Sequence, residues 1–365
     1  MIFHLDCSIN ELETANANEM EETIARLVDA DRSGKHFFVL KRELCGWAID
    51  NLELSRLDKE HLITIREDYA GRGGLPRLAK AVIKVRIGSD AVSFDGDGIF
   101  SVGHVELIQG EYLSSSAVFV MEDVAADGRL YSHIFGEVRK ISAVPSYRFD
   151  PVHGGGSVTE TVLNNEIRKK RIVVCVVDHD KVAPMDRKSS TAKGILTNHH
   201  RRNVGQSYKH ECYVGVSCTT IGKELENWIP YHLFKLMPRF RNHSSFGKLD
   251  EVMGDLSEED GHCFWLHFDI KEGIDGKKLR KKPDDGEVSA DVIEWVCAKI
   301  GSSGSALEEV RIDGFGLGII DAFFGSQEAI KGFHSFVRSE HWRRLFGGYF
   351  EDLLWYFDAP LRNRT

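Results

Sequence analysis

Short apolar runs and amphipathic stretches alternate along this chain, the pattern of strands interleaved with helices. In the first hundred or so positions, residues 2–7 and 36–40 read as strands, 62–65 as another, and 78–85 as a short helix or a strand. Residues 19–28 set Ile24, Leu27 and Val28 on one side of a helix that Gly34 ends, and 42–52 form a second helix. His4 and Asp6 at one strand end, with Glu67 and Asp68 at another, read as solubilising turn residues rather than an acidic cluster. Phe94-Asp-Gly-Asp-Gly98 has the composition of a calcium loop without its ordered ligands or closing Glu, so it reads as a turn.

Beyond residue 111 the pattern sharpens. Residues 116–121 are an apolar strand ending at Glu122-Asp123, and 125–138 follow as a helix with Leu130, Ile134 and Val138 at four-residue spacing. Glu122 therefore stands at the carboxyl end of a buried strand just before a helix, where helix N–H groups tolerate a negative charge. Asp123 alone would suffice as the cap. Residues 146–149 read as the next strand, His153-Gly-Gly-Gly-Ser157 as a tight turn with Ser157 as helix cap, and 158–170 as the helix after it. The glycine turn lacks the spacing of a dinucleotide fingerprint or a P-loop.

The most continuous run lies in RIVVCVVDHDK, residues 171–181. Six consecutive apolar residues read as a strand covered on both faces, the state of a central parallel strand. Asp178 and Asp180 lie past its carboxyl end, where open α/β sheets place their ligand crevice. Extended geometry puts both on one side and His179 on the other. Two such carboxylates repel unless a cation sits between them, and a hard divalent ion suits the site. The same stretch would also serve as a surface turn capping a helix.

Downstream, 191–200 read as a helix and 211–217 as a strand leading to Glu224-Leu-Glu-Asn227, which opens or flanks a helix at the same sheet edge. Pro230 is restricted to a first turn or a break. An acidic linker over 255–260, a strand over 263–268 ended by Asp269, Lys271 and Glu272, a loop over 275–287 and a helix over 288–300 capped by Ser289 complete the pattern. Gly314-Phe-Gly-Leu-Gly318 is too irregular to bind a dinucleotide. The tail carries Trp342, Phe346, Tyr349, Phe350, Leu353, Leu354, Trp355 and Phe357, a density that fits core packing or a docking face for a partner protein or second copy better than a base-stacking platform.

Composition narrows the class. At 365 residues the chain exceeds one ordinary domain and divides into a smaller N-terminal α/β unit (1–110), a central unit (111–235) and a mixed, aromatic-rich C-terminal extension (236–365). Hydrophobic content of 42% and charged content of 28% fit a soluble protein with a sizeable core. No apolar segment approaches bilayer length and the N-terminus carries no secretory leader pattern, so a cytoplasmic location is expected. Seven cysteines without a Cys-x-x-Cys pair fit reduced thiols rather than disulfides or structural zinc. A net charge of -9 excludes coating nucleic acid by bulk electrostatics but leaves local basic patches at 168–171, 199–202 and 277–282.

Strand–Glu122–helix, strand–Asp178-x-Asp180 and Glu224-Leu-Glu-Asn227, in that order over 112–235, resemble a toprim domain, the metal-binding α/β module of topoisomerases, bacterial primases and nucleases related to the overcoming-lysogenization-defect group. The glycine turn at 154–157 resembles one found in the nuclease branch. The resemblance implies a mostly parallel toprim-like sheet flanked by helices, and Mg2+ or Mn2+ held by Glu122, Asp178 and Asp180 with Glu224 or Glu226. It also implies a nuclease acting on DNA or RNA, with a place in antiviral defence by association. The chain departs from larger members in lacking a P-loop ATPase half, a primase zinc pattern and an assignable topoisomerase tyrosine.

Phosphodiester hydrolysis builds charge on phosphate oxygens, which is why carboxylates holding magnesium suit it. In this scheme Glu122 and Asp178 bind one ion, Asp180 the same or a second, and Glu226 the second-ion side with Glu224 in reserve. Lys181 stabilises the transition state, and His153 is a candidate general base. No dinucleotide or other organic cofactor is expected. The alternatives are a phosphatase or nucleotidyl transferase built on the same cluster, and a non-catalytic interaction subunit.

Overall fold

The apolar runs become the interior strands of two larger sheets in the computed structural model, which describes residues 1–89, 91–187, 189–203, 213–279, 288–302 and 307–361. The first sheet takes β1 (Ile2–Leu5), β2 (Phe37–Leu40), β3 (Val82–Arg86), β4 (Val92–Gly96) and β5 (Ile99–Gly103) in the order β2-β1-β3-β5-β4. All its pairings are parallel except that of β4 with β5. Asp97 and Gly98, both at positive φ, make the turn of that hairpin, whereas residues 94–96 of the expected turn belong to β4. Residues 62–65 are not a strand: they lie in the helix Arg56–Glu67, started by the Ser55 hydroxyl, which accepts from the Asp58 N–H at 3.2 Å. Leu62 and Ile65, three apart, are its buried stripe. Glu67 and Asp68 therefore end a helix, and Asp6 pairs with Lys41 at 2.7 Å.

The second sheet takes β6 (Ala117–Met121), β7 (Phe149–His153), β8 (Val173–Val177) and β9 (Gly215–Thr219) in the order β7-β6-β8-β9, all parallel. The helices Asp127–Val138, Thr159–Arg168 and Ser190–Asn203 connect successive strands. The chain is thus a mixed α/β protein with a mostly parallel sheet flanked by helices. The strand expected at 146–149 starts only at Phe149, and Tyr147 bridges to Asp358 instead. Ser157 does not cap a helix. It lies in the 3-10 turn Gly156–Val158, and the Thr159 hydroxyl donates to Gly156 O at 2.7 Å.

Both faces of this sheet are covered, as the unbroken apolar runs of β6 and β8 require. Val118, Val120, Val173, Cys175 and Val177 pack with Leu163 and Ile167 on one side. On the other, Phe119 meets Tyr131 at 4.7 Å and Phe357 at 5.0 Å between ring centroids. Phe357 closes the helix Gly348–Phe357, whose Phe350 meets Trp228 at 4.7 Å. The aromatic tail is therefore the cover of the sheet, not a docking face: Trp342, Phe350, Leu354 and Phe357 are completely buried.

Two further expectations fall in the C-terminal third. Residues 263–267 are helical, not extended, within Glu258–His267, and Phe268 is the C-cap. Ser257 caps that helix, and Glu258, Glu259 and Asp260 fill its first turn, where negative charge favours the helix dipole. The acidic stretch 255–260 is thus the end of Ser245–Asp255 and the start of the next helix, not a linker. The expected helix over 288–300 spans Ala290–Lys299, with Ser289 at its N-cap but no side-chain cap bond. Part of the loop expected at 275–287 is ordered: β10 (Gly273–Asp275), antiparallel to β11 (Arg311–Asp313), runs into the short helix Gly276–Leu279, while 280–287 lie outside the described residues.

Three residues of the basic stretch 168–171 are tied into ion pairs, Lys169 and Arg171 with Glu166 and Lys170 with Glu106. The side chains of 199–202 and residues 280–282 lie outside the described residues. Cys7, Cys45, Cys175, Cys218, Cys263 and Cys297 are free thiols, and Cys212 falls outside that description. No helix among the described residues is long and apolar enough to cross a membrane.

β9 depends on one glycine. Gly215 pairs with Val173 at a φ of 150°, and a Cβ there would fall 1.8 Å from Val173 O. Gly215→Ala is expected to cost about 3 kcal/mol or more of stability, read as a fall in the urea midpoint.

Candidate acidic site at the strand ends

β6 and β8 are neighbours that the chain leaves in opposite directions, β6 outward to β7 and β8 outward to β9. Such a reversal leaves a crevice at the carboxyl ends. Glu122 follows β6 there and Asp178 follows β8. Simple alternation would part them, because Val118 and Val120 share a face with Val173, Cys175 and Val177. The strands stop at Met121 and Val177, however, and the chain bends at residue 122. Glu122 Oε1 accordingly accepts from the Asp178 N–H at 3.4 Å.

Around this pair the fold gathers further carboxylates. Burial pushes the Asp178 carboxyl well above the usual range, and Glu122, Glu226, Asp127 and Glu224 add to the shift. Glu122 is raised by burial and by Asp180 and Glu226, while the Asp178 N–H and Lys271 oppose the rise. Asp127, in the first turn of its helix, is pushed up to about 7 by burial with help from Glu226, Asp123 and Glu122, against the Asp123 N–H it accepts at 2.9 Å. Glu224 reaches about 7, chiefly through burial. Its Oε2 has no hydrogen-bond partner, although Lys271 Nζ lies 3.5 Å away.

Lys271 is the counter-charge. Its ammonium stands 3.1 Å from Glu226 Oε1. Burial works against it, yet Glu226 and Glu224 hold its pKa above the usual lysine range. Its position is secured from the loop after β9, where the Asn227 amide donates to Trp265 O at 2.6 Å and Phe268 O at 2.9 Å, tying that loop to the helix Glu258–His267. Lys223 closes the same junction on Asp269.

Other expected residues are arranged differently. Asp180 has a left-handed φ of 56°, so it leaves the extended path that would set it on the same side as Asp178. It is exposed at the rim, its N–H donates to Lys223 O at 3.2 Å, and its charge bears on Glu122. The Lys181 ammonium donates to Pro184 O at 2.9 Å, away from the carboxylate pair. His179 turns inward as expected. The Lys181 N–H donates to its Nδ1 at 3.0 Å, which leaves Nε2 to donate to Ile221 O at 3.0 Å. His153 ends β7 exposed, paired in register with Met121.

Among the described residues no three His, Cys, Asp or Glu side chains are arranged to enclose a metal ion. Comparison of the chain with protein-family models, with curated proteins and with solved structures gives no match.

The crowding has a stability signature. Between about pH 4, where an unfolded carboxyl titrates, and about 7, the folded chain holds protons on Asp127 and Glu224 that the unfolded chain has lost. Stability from these groups therefore falls as pH rises through that window. Glu224→Gln is expected to melt a few degrees higher than the parent at pH 7.5, by a margin larger than at pH 5, in thermal unfolding with chelator present.

Proposed function

We propose that the chain is a divalent-cation-dependent hydrolase of phosphodiester bonds in nucleic acid. The observation that carries this reading is the convergence of carboxylates from separate strand ends, Glu122 with Asp178 and then Glu226, at the reversal point of a parallel sheet. The toprim resemblance over 112–235 supports it, and an antiviral role rests on that resemblance alone. Mg2+ or Mn2+ suits the donors, which are carboxylate oxygens, one of them Glu224 Oε2, buried without a hydrogen bond. Glu122 and Asp178 would hold the ion, with Asp180 and Glu226 at its sides and Glu224 in reserve. A cation so held supplies Lewis acidity and a more acidic bound water.

The chain's own groups do the rest. Lys271, whose ammonium stands by Glu226 and Glu224, would meet phosphate oxygens, the part expected of Lys181. The glycine turn after β7 brings backbone close to the strand end: the Gly154 N–H donates to Met121 O at 2.7 Å and that of Gly155 to Glu122 O at 3.2 Å. A second reading, a phosphatase or nucleotidyl transferase, is favoured by the ion pairs of Lys169, Lys170 and Arg171, which occupy most of one track for a long polymer.

Asp178→Asn is expected to abolish cleavage of DNA and RNA with Mg2+ while leaving the circular dichroism unchanged, and chelator to abolish it in the parent. Full cleavage by Asp178→Asn would overturn the assignment, and turnover of nucleotides without polymer cleavage would favour the second reading. Lys271→Ala is expected to lower the cleavage rate by roughly 10²-fold, whereas Lys181→Ala leaves it within about twofold.

A further inference from the structure

The helices Asp127–Val138 and Gln327–Val337 bring two histidines face to face. His133 on the first and His334 on the second have their Nε2 atoms 3.0 Å apart. The ring centroids are 4.7 Å apart and the ring planes are inclined by 24°. Phe333 stacks beside His133 at 5.9 Å, while Phe323 and Phe324 meet it edge-on at 6.0 and 5.5 Å. These aromatic contacts hold the His133 ring toward its partner.

An in-line N–H···N bond of this length sets imidazole centroids about 5.3 Å apart, because each nitrogen stands about 1.15 Å from its ring centre. The observed separation is shorter, so the contact between the rings is bent. Two imidazoles that share one metal ion are bent in the same way. With bonds of about 2.05 Å and nitrogens 3.0 Å apart, the angle at the ion is about 94° and the centroids fall about 4.7 Å apart. That angle is close to the square or octahedral value of about 90° and short of the tetrahedral value of about 109°, which favours Ni2+ or Cu2+ over Zn2+.

The surroundings suit neutral ligands on an open face. Burial and the neighbouring His334 hold the His133 imidazole below its usual pKa, against the pull of Glu137, so at neutral pH it is in its ligating form. Glu137, one turn from His133, has an oxygen 3.7 Å from His334 Nε2. Lys140 at 2.5 Å and Arg338 at 2.7 Å occupy that carboxylate, so it is a nearby counter-charge rather than a third ligand. Both cations oppose an incoming ion, but each is half-exposed and weakened by solvent. His133 also lines an open groove with Val124, Arg129, Ser132, Phe149 and Phe324, where water can complete a coordination sphere. Arg129 is paired there with Asp321 at 2.7 Å.

We propose that His133 and His334 form a two-histidine site for a late first-row divalent ion, Ni2+ or Cu2+ before Zn2+, with water in the remaining positions. Two protein ligands leave the ion unenclosed. Imidazole nitrogens set this site apart from the carboxylate cluster, whose oxygens suit Mg2+ or Mn2+. An ion here ties the helix Gln327–Val337 to the helix that carries Asp127, and nothing in the site depends on the hydrolase reading.

Nickel is the probe. Crystals of the full chain soaked in Ni2+ and measured at the nickel absorption edge are expected to show an anomalous peak about 2.1 Å from both Nε2 atoms. In calorimetry with Ni2+ and excess Mg2+, His334→Ala is expected to lose one site of the parent or weaken it at least tenfold, since losing a ligand exceeds the roughly 10- to 100-fold cost of losing an outer partner. His133→Ala is expected to remove the same site. His334 is one-third exposed, so the metal-free circular dichroism of His334→Ala is expected to match the parent's. Identical Ni2+ isotherms for the parent and His334→Ala, or an anomalous map without a peak between the rings, would overturn the inference. So would a His334-dependent site as strong at pH 5 as at pH 7.5, because protonation takes the imidazole lone pair.

Discussion

Like charges held together out of water are the constraint on which the rest of this structure turns. Glu122, Asp127, Asp178, Glu224 and Glu226 come from different segments, and each makes its neighbours harder to ionise. A fold selected only for stability would disperse them or replace them with apolar groups. Here protons and the ammonium groups of Lys271 and, for Glu224, Lys223 take up the repulsion instead. The cost is local, and the remainder of the sheet is arranged to bear it.

That remainder is rigid. β6 and β8 lie between two apolar layers, so their ends cannot drift apart without opening the core. One layer comes from the crossover helices and the other largely from the far end of the chain, where Phe350 and Phe357 press against Trp228 and Phe119. The catalytic reading of the carboxylates and the packing role of the aromatic tail are therefore linked: the second fixes the geometry that the first requires.

How much of this is legible in the residues alone varies with the physics involved. The parallel strands and the positions of Glu122 and Asp178 are legible because a short run apolar on both faces, bounded by polar turns, suits the interior of a sheet. Residues 62–65 and 263–268 are not, since an apolar run of that length fits a strand and one stripe of a helix equally well. The backbone reversal at Asp180 is hidden because Asp tolerates a left-handed conformation without any change of residue type to mark it. Asp127 passes as an ordinary acidic residue of a helix's first turn. Lys271 gives no signal of its own, because its meaning depends on Asn227 and Lys223 fastening a distant helix to the loop after β9.

That fastening has an architectural consequence. The strand ends supply the acids, and Lys271 arrives on a segment that follows them by dozens of residues. A fragment stopping shortly after Pro230 would inherit every acid of the cluster without the Lys271 ammonium that pairs with Glu226 and Glu224, so the sheet's autonomy is only topological. Electrostatically, the two halves of the chain are one unit.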